Sequence, residues 1–185
     1  MVSYRDTRHW GLHGAAGLLL RAPWHDGGPA VLLQHRAPWS HQGGTWGLPG
    51  GALDSHEAAE EAAVREAHEE AGLSAEYIQL RTTVVTAEVE GPEGVWTYTT
   101  VVADATKLLM TVPNRESAEL RWVPEAKVAD LPLHPAFGRS WSRLRVTSVV
   151  PEHDCGLELP HTVVIGSDVF AWCTPGEISR PPAPR

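Results

Sequence analysis

Three glutamates, Glu66, Glu69 and Glu70, fall within five positions of the chain, with Arg65 immediately ahead of them and Glu57 further upstream. On a helix, side chains three and four positions apart share a face, so these carboxylates project together from neighbouring turns. Crowded carboxylates repel one another unless cations join them. A hard divalent ion with oxygen ligands suits such a donor set, magnesium first and manganese as the alternative. The plain alternative is a solvated, Glu-rich surface helix. It leaves the glycine-rich lead-in at Gly50-Gly51 and the fixed spacing unexplained.

The element that must carry these groups is predicted as a helix over residues 56–71. Asp54 is placed as its N-cap, with Glu57 three residues on as the reciprocal acceptor. Ala59, Ala63 and Ala67 recur every four residues and make a stripe small enough to lie close against a sheet. Arg65 is expected to pair with Glu61 and Glu69 at i−4 and i+4, and Gly72 to supply the left-handed stop. None of this uses the acidic face, which is left free for metal.

The full stretch 51–73, G-A-L-D-S-H-E-A-A-E-E-A-A-V-R-E-A-H-E-E-A-G-L, resembles the Nudix box at every defined position: Gly51, Glu57, Arg65-Glu66, Glu69-Glu70, Gly72 and apolar Leu73. Only Ala67 is a smaller apolar residue than the common choice. The resemblance implies an α/β/α sandwich around a mixed β-sheet, and hydrolysis of a nucleoside diphosphate linked to another group. By position, it implies that Glu69 and Glu70 ligate metal and that Glu66 ligates it or orients the attacking water as general base. It also implies that the Gly50 carbonyl joins the ion, and that Glu57 and Arg65 support the others. A further ligand is expected from beyond the box. Glu116 has the MutT-like offset, six residues before Trp122, and Glu119 is its rival. Arg36 stands where MutT-like members place a substrate-contacting arginine, or else is a solvent-facing arginine at a strand end. Trp46, Trp96 and Tyr98 could stack on a base, or simply pack in the core or a hairpin.

Composition bounds the rest. With 185 residues the chain holds one core-bearing domain plus extensions. A net charge of −8 argues against a non-specific nucleic-acid surface. Two distant cysteines, Cys155 and Cys173, make no disulfide framework. No apolar run nears a bilayer span, and the start lacks a signal-peptide core, so a cytoplasmic protein is expected, monomer or homodimer. Residues 1–13 read as an extension and 14–145 as the catalytic domain. Strands are expected at 14–20, 30–34, 77–90, 95–103 and 120–123, a helical turn at 124–129, and a second helix at 134–144 with Phe137, Trp141 and Leu144 inward. Residues 146–185 read as a C-terminal extension, dispensable for chemistry, with an added strand or hairpin near 162–172 and a loose, Pro-rich end.

The substrate is less sharply marked. The stretch 131–135, Leu-Pro-Leu-His-Pro, lacks the asparagine that MutT-like triphosphatases use on damaged guanine. Val89 stands where ADP-ribose-cleaving members often carry proline. The offsets of Arg36 and Glu116 favour a nucleoside triphosphate pyrophosphohydrolase, with oxidised dGTP within its range. An ADP-ribose or nucleotide-sugar pyrophosphatase, and a non-catalytic nucleotide-sensing module, are the competing readings.

Overall fold

The computed structural model of the chain describes residues 2–4, 7–9, 11–91, 94–146, 156–165 and 169–175. Strands β1 (Val2–Tyr4) and β2 (Thr7–His9) pair as a small antiparallel hairpin within what the sequence marks only as an extension. The main sheet is built from β3 (Ala15–Pro23), β4 (Pro29–Arg36), β5 (Trp46–Gly47), β6 (Gly50–Ala52), β7 (Gln79–Gly91), β8 (Gly94–Asp104) and β9 (Ser117–Pro124). It is mixed. β3 runs parallel to β8 and antiparallel to β4 and β6, and β7 and β9 add antiparallel edges.

Helix α1 (Ala59–Ala71) covers one face and helix α2 (Pro135–Leu144) the other. Beneath α1, Ala62, Ala63, Ala67 and Ala71 meet Ala16, Leu18, Leu32 and Val101 in a cluster with almost no solvent access. The alanines let the helix axis approach the sheet, as their spacing predicts. On the far face Phe137, Trp141 and Leu144 pack on Leu19, Val31, Leu33 and Val102. A layer of helix on each side of a mixed sheet is the expected sandwich.

The helix start differs from expectation. His56 takes a left-handed φ of 71°, which breaks any helix there, and Ala58 is the N-cap with extended backbone. Asp54 therefore does not cap α1. Its N–H donates to Glu57 at 2.9 Å in a separate turn, and Glu61 accepts the Ala58 N–H at 3.0 Å. At the other end Gly72 adopts φ 68° and its N–H closes on the His68 carbonyl at 2.9 Å, the expected stop.

The C-terminal segment forms the expected hairpin, β10 (His161–Ile165) with β11 (Val169–Cys173). It is joined to the domain rather than appended. Phe170 is buried in the second core cluster, and Asp104 accepts the Thr162 N–H at 2.8 Å and its hydroxyl at 2.7 Å. Cys155 and the Pro-rich end at 179–185 lie outside the described residues.

Candidate functional site

The site lies where two strands part. β3 pairs with β4 only at Arg21–Pro23, and nearer the site its edge is taken by β6, with Gly17 opposite Gly50. β4 in turn takes β5, Gln34 opposite Gly47. Residues 46–52 fill this wedge, fastened by the Leu18 N–H to the Pro49 carbonyl at 2.9 Å. Gly50 is obligatory there, since a side chain would run into the Ala16 carbonyl and the Gly17 backbone. A side chain on Gly51 would strike the Glu66 carboxylate. Gly50 thus lets β6 close on β3, and Gly51 leaves room for the Glu66 carboxylate of the box helix.

Glu70 and Glu66 both reach this loop. Glu70 is 4% exposed and accepts the Gly50 N–H at 2.7 Å. Burial pushes its carboxyl up to about 7; Glu66 adds to the rise, while Gly50, Gln34 and Arg36 oppose it. Glu66 is half-buried and also held above the ordinary carboxylate range, by burial first, with Glu69 and Glu116 contributing and Arg65 opposing. Glu69 points outward, its side chain 59% exposed and 3.8 Å from Arg65.

Arg65 does not pair with Glu61 as expected, because Glu61 is committed to Ala58. It grips Glu57 through two bonds, at 2.8 and 2.9 Å, and also reaches the Glu66 carboxylate at 2.7 Å and the Ala52 carbonyl at 3.0 Å. This fork holds Glu57 down at about 2, the Arg65 bond being the main cause. It also ties Glu66 to the strand that carries Gly51.

Residues 105–116 wrap the end of α1, with the Val112 N–H on the Ala71 carbonyl at 2.9 Å and the Asn114 N–H on the Glu70 carbonyl at 3.2 Å. They deliver Glu116 to the Glu66 side of the cluster, exposed and near enough to raise Glu66. Glu119 is elsewhere. It forks with Arg121 through two bonds of 2.7 Å and feels His35. Arg121 packs over Trp46 on the α2 side of the sheet.

Of the aromatic candidates, Trp46 is a correction. It is 4% exposed, stacked on His35 with ring centres 4.7 Å apart, with the Arg121 guanidinium 4.6 Å from its ring centre. It is a core wall and offers no open face to a base. Trp96 is half-buried on the β7–β8 hairpin, opposite Val89. Tyr98 reaches the wedge: its hydroxyl lies over Gly17 beside Leu48, and burial followed by Glu70 raises the phenol. Arg36 is braced by its Nε–H to the His41 carbonyl at 2.9 Å and lies within electrostatic reach of Glu70 and Tyr98.

Sequence reasoning missed three contributors. Gln34 is fully buried beside Glu70 and donates to the Ser117 hydroxyl at 2.9 Å. Gly17 makes room for Tyr98. His134 is drawn into the wedge by its N–H on the Trp46 carbonyl at 2.7 Å, answered by the Trp46 N–H on Pro132 at 2.9 Å. The pair His134-Pro135 carried a signal, since proline favours the first helical position just after the cap.

Among the described residues no three His, Cys, Asp or Glu side chains converge into a ready cage. The donor set still fits a hard cation. A carboxylate as buried as Glu70 needs a positive partner or must hold its proton, and Arg65 is spent on Glu57 and Glu66.

Residues 11–144 match the profile of the NUDIX domain. A protein of Mycobacterium tuberculosis named "Putative 8-oxo-dGTP diphosphatase 3" is 64% identical over 189 aligned positions, covering all of this chain and 87% of its own. A Bifidobacterium longum "Nucleoside triphosphate pyrophosphatase/Nudix hydrolase fusion protein" is 40% identical across 74% of this chain and 28% of its own length. Among solved structures, a Nudix hydrolase from M. smegmatis, RenU, superposes with a TM-score of 0.73 at 72% identity, covering 75% of this chain and 86% of the other.

Proposed function

Because the chain belongs to the Nudix hydrolase family, we propose that it hydrolyses nucleoside triphosphates to the monophosphate and pyrophosphate, with an oxidised purine deoxynucleotide such as 8-oxo-dGTP as the preferred class. The name of the Mycobacterium tuberculosis relative supports the substrate class. The observation that carries the reading is the meeting of Glu66 and Glu70 with the Gly50–Gly51 loop at the parting of β3 and β4. We take residues 14–145 as the catalytic unit, with 1–13 and 146–185 as extensions, working in the cytoplasm as monomer or homodimer.

In this reading Glu66, Glu69, Glu70, Glu116 and the Gly50 carbonyl hold magnesium, or manganese in its place. An ion held there would neutralise phosphate oxygens and lower the cost of bringing an anionic nucleophile to phosphorus. Glu66, raised by burial and tied by Arg65, takes the proton of the attacking water. The new phosphorus–oxygen bond forms as the bond to the bridging oxygen breaks, so one water is consumed and pyrophosphate leaves. Arg65 keeps Glu66 aimed, Arg36 meets the phosphates, and Tyr98 and Trp96 flank the nucleoside.

The test is a hydrolysis panel of normal and oxidised nucleoside triphosphates, ADP-ribose, nucleotide sugars and dinucleoside polyphosphates, with and without magnesium. Magnesium-dependent release of monophosphate and pyrophosphate, fastest on an oxidised purine triphosphate, is expected. Nucleotide binding without turnover of any compound would identify a sensor module instead.

A further inference from the structure

One side chain beneath the site is polar where packing would suit an apolar one. Strand β4 turns Leu32 and Gln34 toward α1, and Gln34 stands opposite Leu120, which packs on the apolar cluster there. A leucine at this place would continue the cluster. Gln34 instead buries an amide completely, at 0% exposure, and a buried amide costs free energy unless its donors and acceptor are met. Here they are met. Its Nε2 donates to the Ser117 hydroxyl at 2.9 Å, and its Oε1 lies 3.5 Å from Arg36 Nη1. With a guanidinium on the oxygen side, the second Nε2–H is left for the other neighbour, the Glu70 carboxylate, whose charge it helps to hold.

Ser117 leads on to the segment that carries Glu116. Its hydroxyl donates to Asn114 Oδ1 at 3.4 Å, and the same oxygen accepts the Glu116 N–H at 2.8 Å. The Asn114 N–H closes on the Glu70 carbonyl at 3.2 Å, and the Glu116 carbonyl accepts the Ala37 N–H at 2.8 Å. Asn114 thus bends the chain ahead of Glu116, and Gln34 is a side chain that joins this turn to Glu70 from beneath. We propose, resting on the ligand roles given above to Glu70 and Glu116, that Gln34 is a positioning residue. Its amide braces the Glu70 carboxylate and, through Ser117 and Asn114, the turn bearing Glu116, so that the two acids meet a cation at a preset spacing. Gln34 itself touches neither cation nor substrate. Without the brace, the segment bearing Glu116 would have to be ordered at each binding event, at a cost in affinity.

Manganese is the probe, titrated into the full-length protein without nucleotide and followed by the electron paramagnetic resonance of the free ion. Gln34→Met keeps the length and bulk of the side chain without its hydrogen bonds, and should weaken manganese binding by about tenfold or more. Ser117→Ala is the gentler variant, for the case in which a methionine beside Glu70 fails to fold, and should weaken it by about threefold. Coupling separates positioning from stability. In a Glu116→Gln background Ser117→Ala should add no further loss, and Gln34→Met less than in wild type. In the magnesium assay Gln34→Met should lower kcat and recover as magnesium rises, with the KM for nucleotide unchanged. Leu32→Ala, on the same strand and without a polar partner, should lower the melting temperature and leave manganese affinity alone. Affinity unchanged in Gln34→Met and Ser117→Ala, or lost equally in the Glu116→Gln background, overturns the brace while Glu70 and Glu116 stand as ligands. Full affinity in Glu70→Gln and Glu116→Gln removes the ligand roles, and the brace with them. Weakened, coupled binding in a protein that turns over no nucleotide keeps the brace and sinks the triphosphatase reading instead.

Discussion

The Glu70 carboxylate is buried against the Gly50 N–H, 2.7 Å away, across 20 residues of sequence. One peptide hydrogen bond does not repay the desolvation of a charged carboxylate, and its raised value of about 7 says so. A fold that selects the protonated acid is most helped by Glu70 below the carboxyl's unfolded value near 4.5. That help is lost as pH rises through about 7. Metal-free protein should therefore lose stability between about pH 4.5 and 7 and hold level above. Glu70→Gln keeps an acceptor for Gly50 and has no charge to bury. At pH 8 in EDTA it should be more stable than wild type, by up to about 3 kcal/mol, yet kcat should fall by about 10² or more. Glu69→Gln, largely exposed, should cost similar activity without the stability gain. Thermal melts with EDTA and with manganese check both, since manganese should stabilise wild type more than Glu70→Gln. Equal melting of the two proteins in EDTA would remove the buried-charge argument.

Glu116 and Glu119 are three residues apart, but their chemical settings differ. Glu116 raises Glu66, whereas Glu119 is locked to Arg121. Glu116→Gln should lower kcat/KM by about 10–100-fold and raise the magnesium concentration needed for half-maximal rate. Glu119→Gln should leave both where they are. Steady-state assays over a magnesium series distinguish them, and a reversed pattern would put Glu119 at the metal.

The box helix and the crowding of its carboxylates were legible because helix periodicity is local: Glu66, Glu69, Glu70 and the alanine stripe are fixed by positions three and four apart. What stayed hidden depends on where distant segments cross. Asp54 looked like a cap, yet the left-handed backbone at His56 delays α1 to Ala59. Trp46 looked available, but the pairing of β4 with β5 puts His35 against it and the pairing of β4 with β9 brings Arg121 over its ring. Gln34 beside Glu70, and His134 beside Arg36, are juxtapositions set by the wedge between β3 and β4, and no sequence spacing encodes them.

Gly17 and Tyr98 make a steric pair, since the hydroxyl of one occupies the place of a side chain on the other. Gly17→Ala should destabilise the protein by about 1–3 kcal/mol and lower kcat/KM by displacing Tyr98 from the wedge. Adding Tyr98→Phe removes the atom that clashes and should recover much of the stability. A double-mutant cycle from urea denaturation reads the coupling directly. Additive effects would show that the two residues do not compete for one space.

His134 gives the acid limb of stability. Its value of about 4 lies below the ordinary imidazole range because the ring is buried and is surrounded by the basic groups Arg36, His41 and Arg139. The contribution is complete above about pH 6.5 and is lost as pH falls toward 4. Glu70 pulls the other way over much of that window, so the comparison belongs in a Glu70→Gln background. There, His134→Asn, which caps without titrating, should cut the acid-induced loss by about 1 kcal/mol after allowing for solvent at the ring. Identical pH–stability curves for the two proteins would exclude His134 as the group responsible.

The C-terminal hairpin tests where the folded unit ends. Arg21 is fully buried on β3, pairs with Glu125 at 3.1 Å and lies 5.7 Å from the Phe170 ring centre. Glu125 also accepts the Val146 N–H at 2.5 Å, and the Arg21 guanidinium donates to the Leu144 carbonyl. The ionic pair is therefore shielded by a residue from the segment that sequence alone marks as dispensable. Phe170→Ala removes a ring from the second core cluster and lets water reach a buried guanidinium, so it should cost about 3 kcal/mol or more. Removing residues 146–185 should cost at least as much, because it also strips Thr162 from Asp104. Both proteins should still hydrolyse substrate at low temperature, since the hairpin packs chiefly on β3, β7, β8 and α2. Activity measured below and above each variant's melting temperature separates the roles. A well-folded truncation with wild-type stability would show that the domain closes without the hairpin, and a folded but inactive one would place the hairpin in the site.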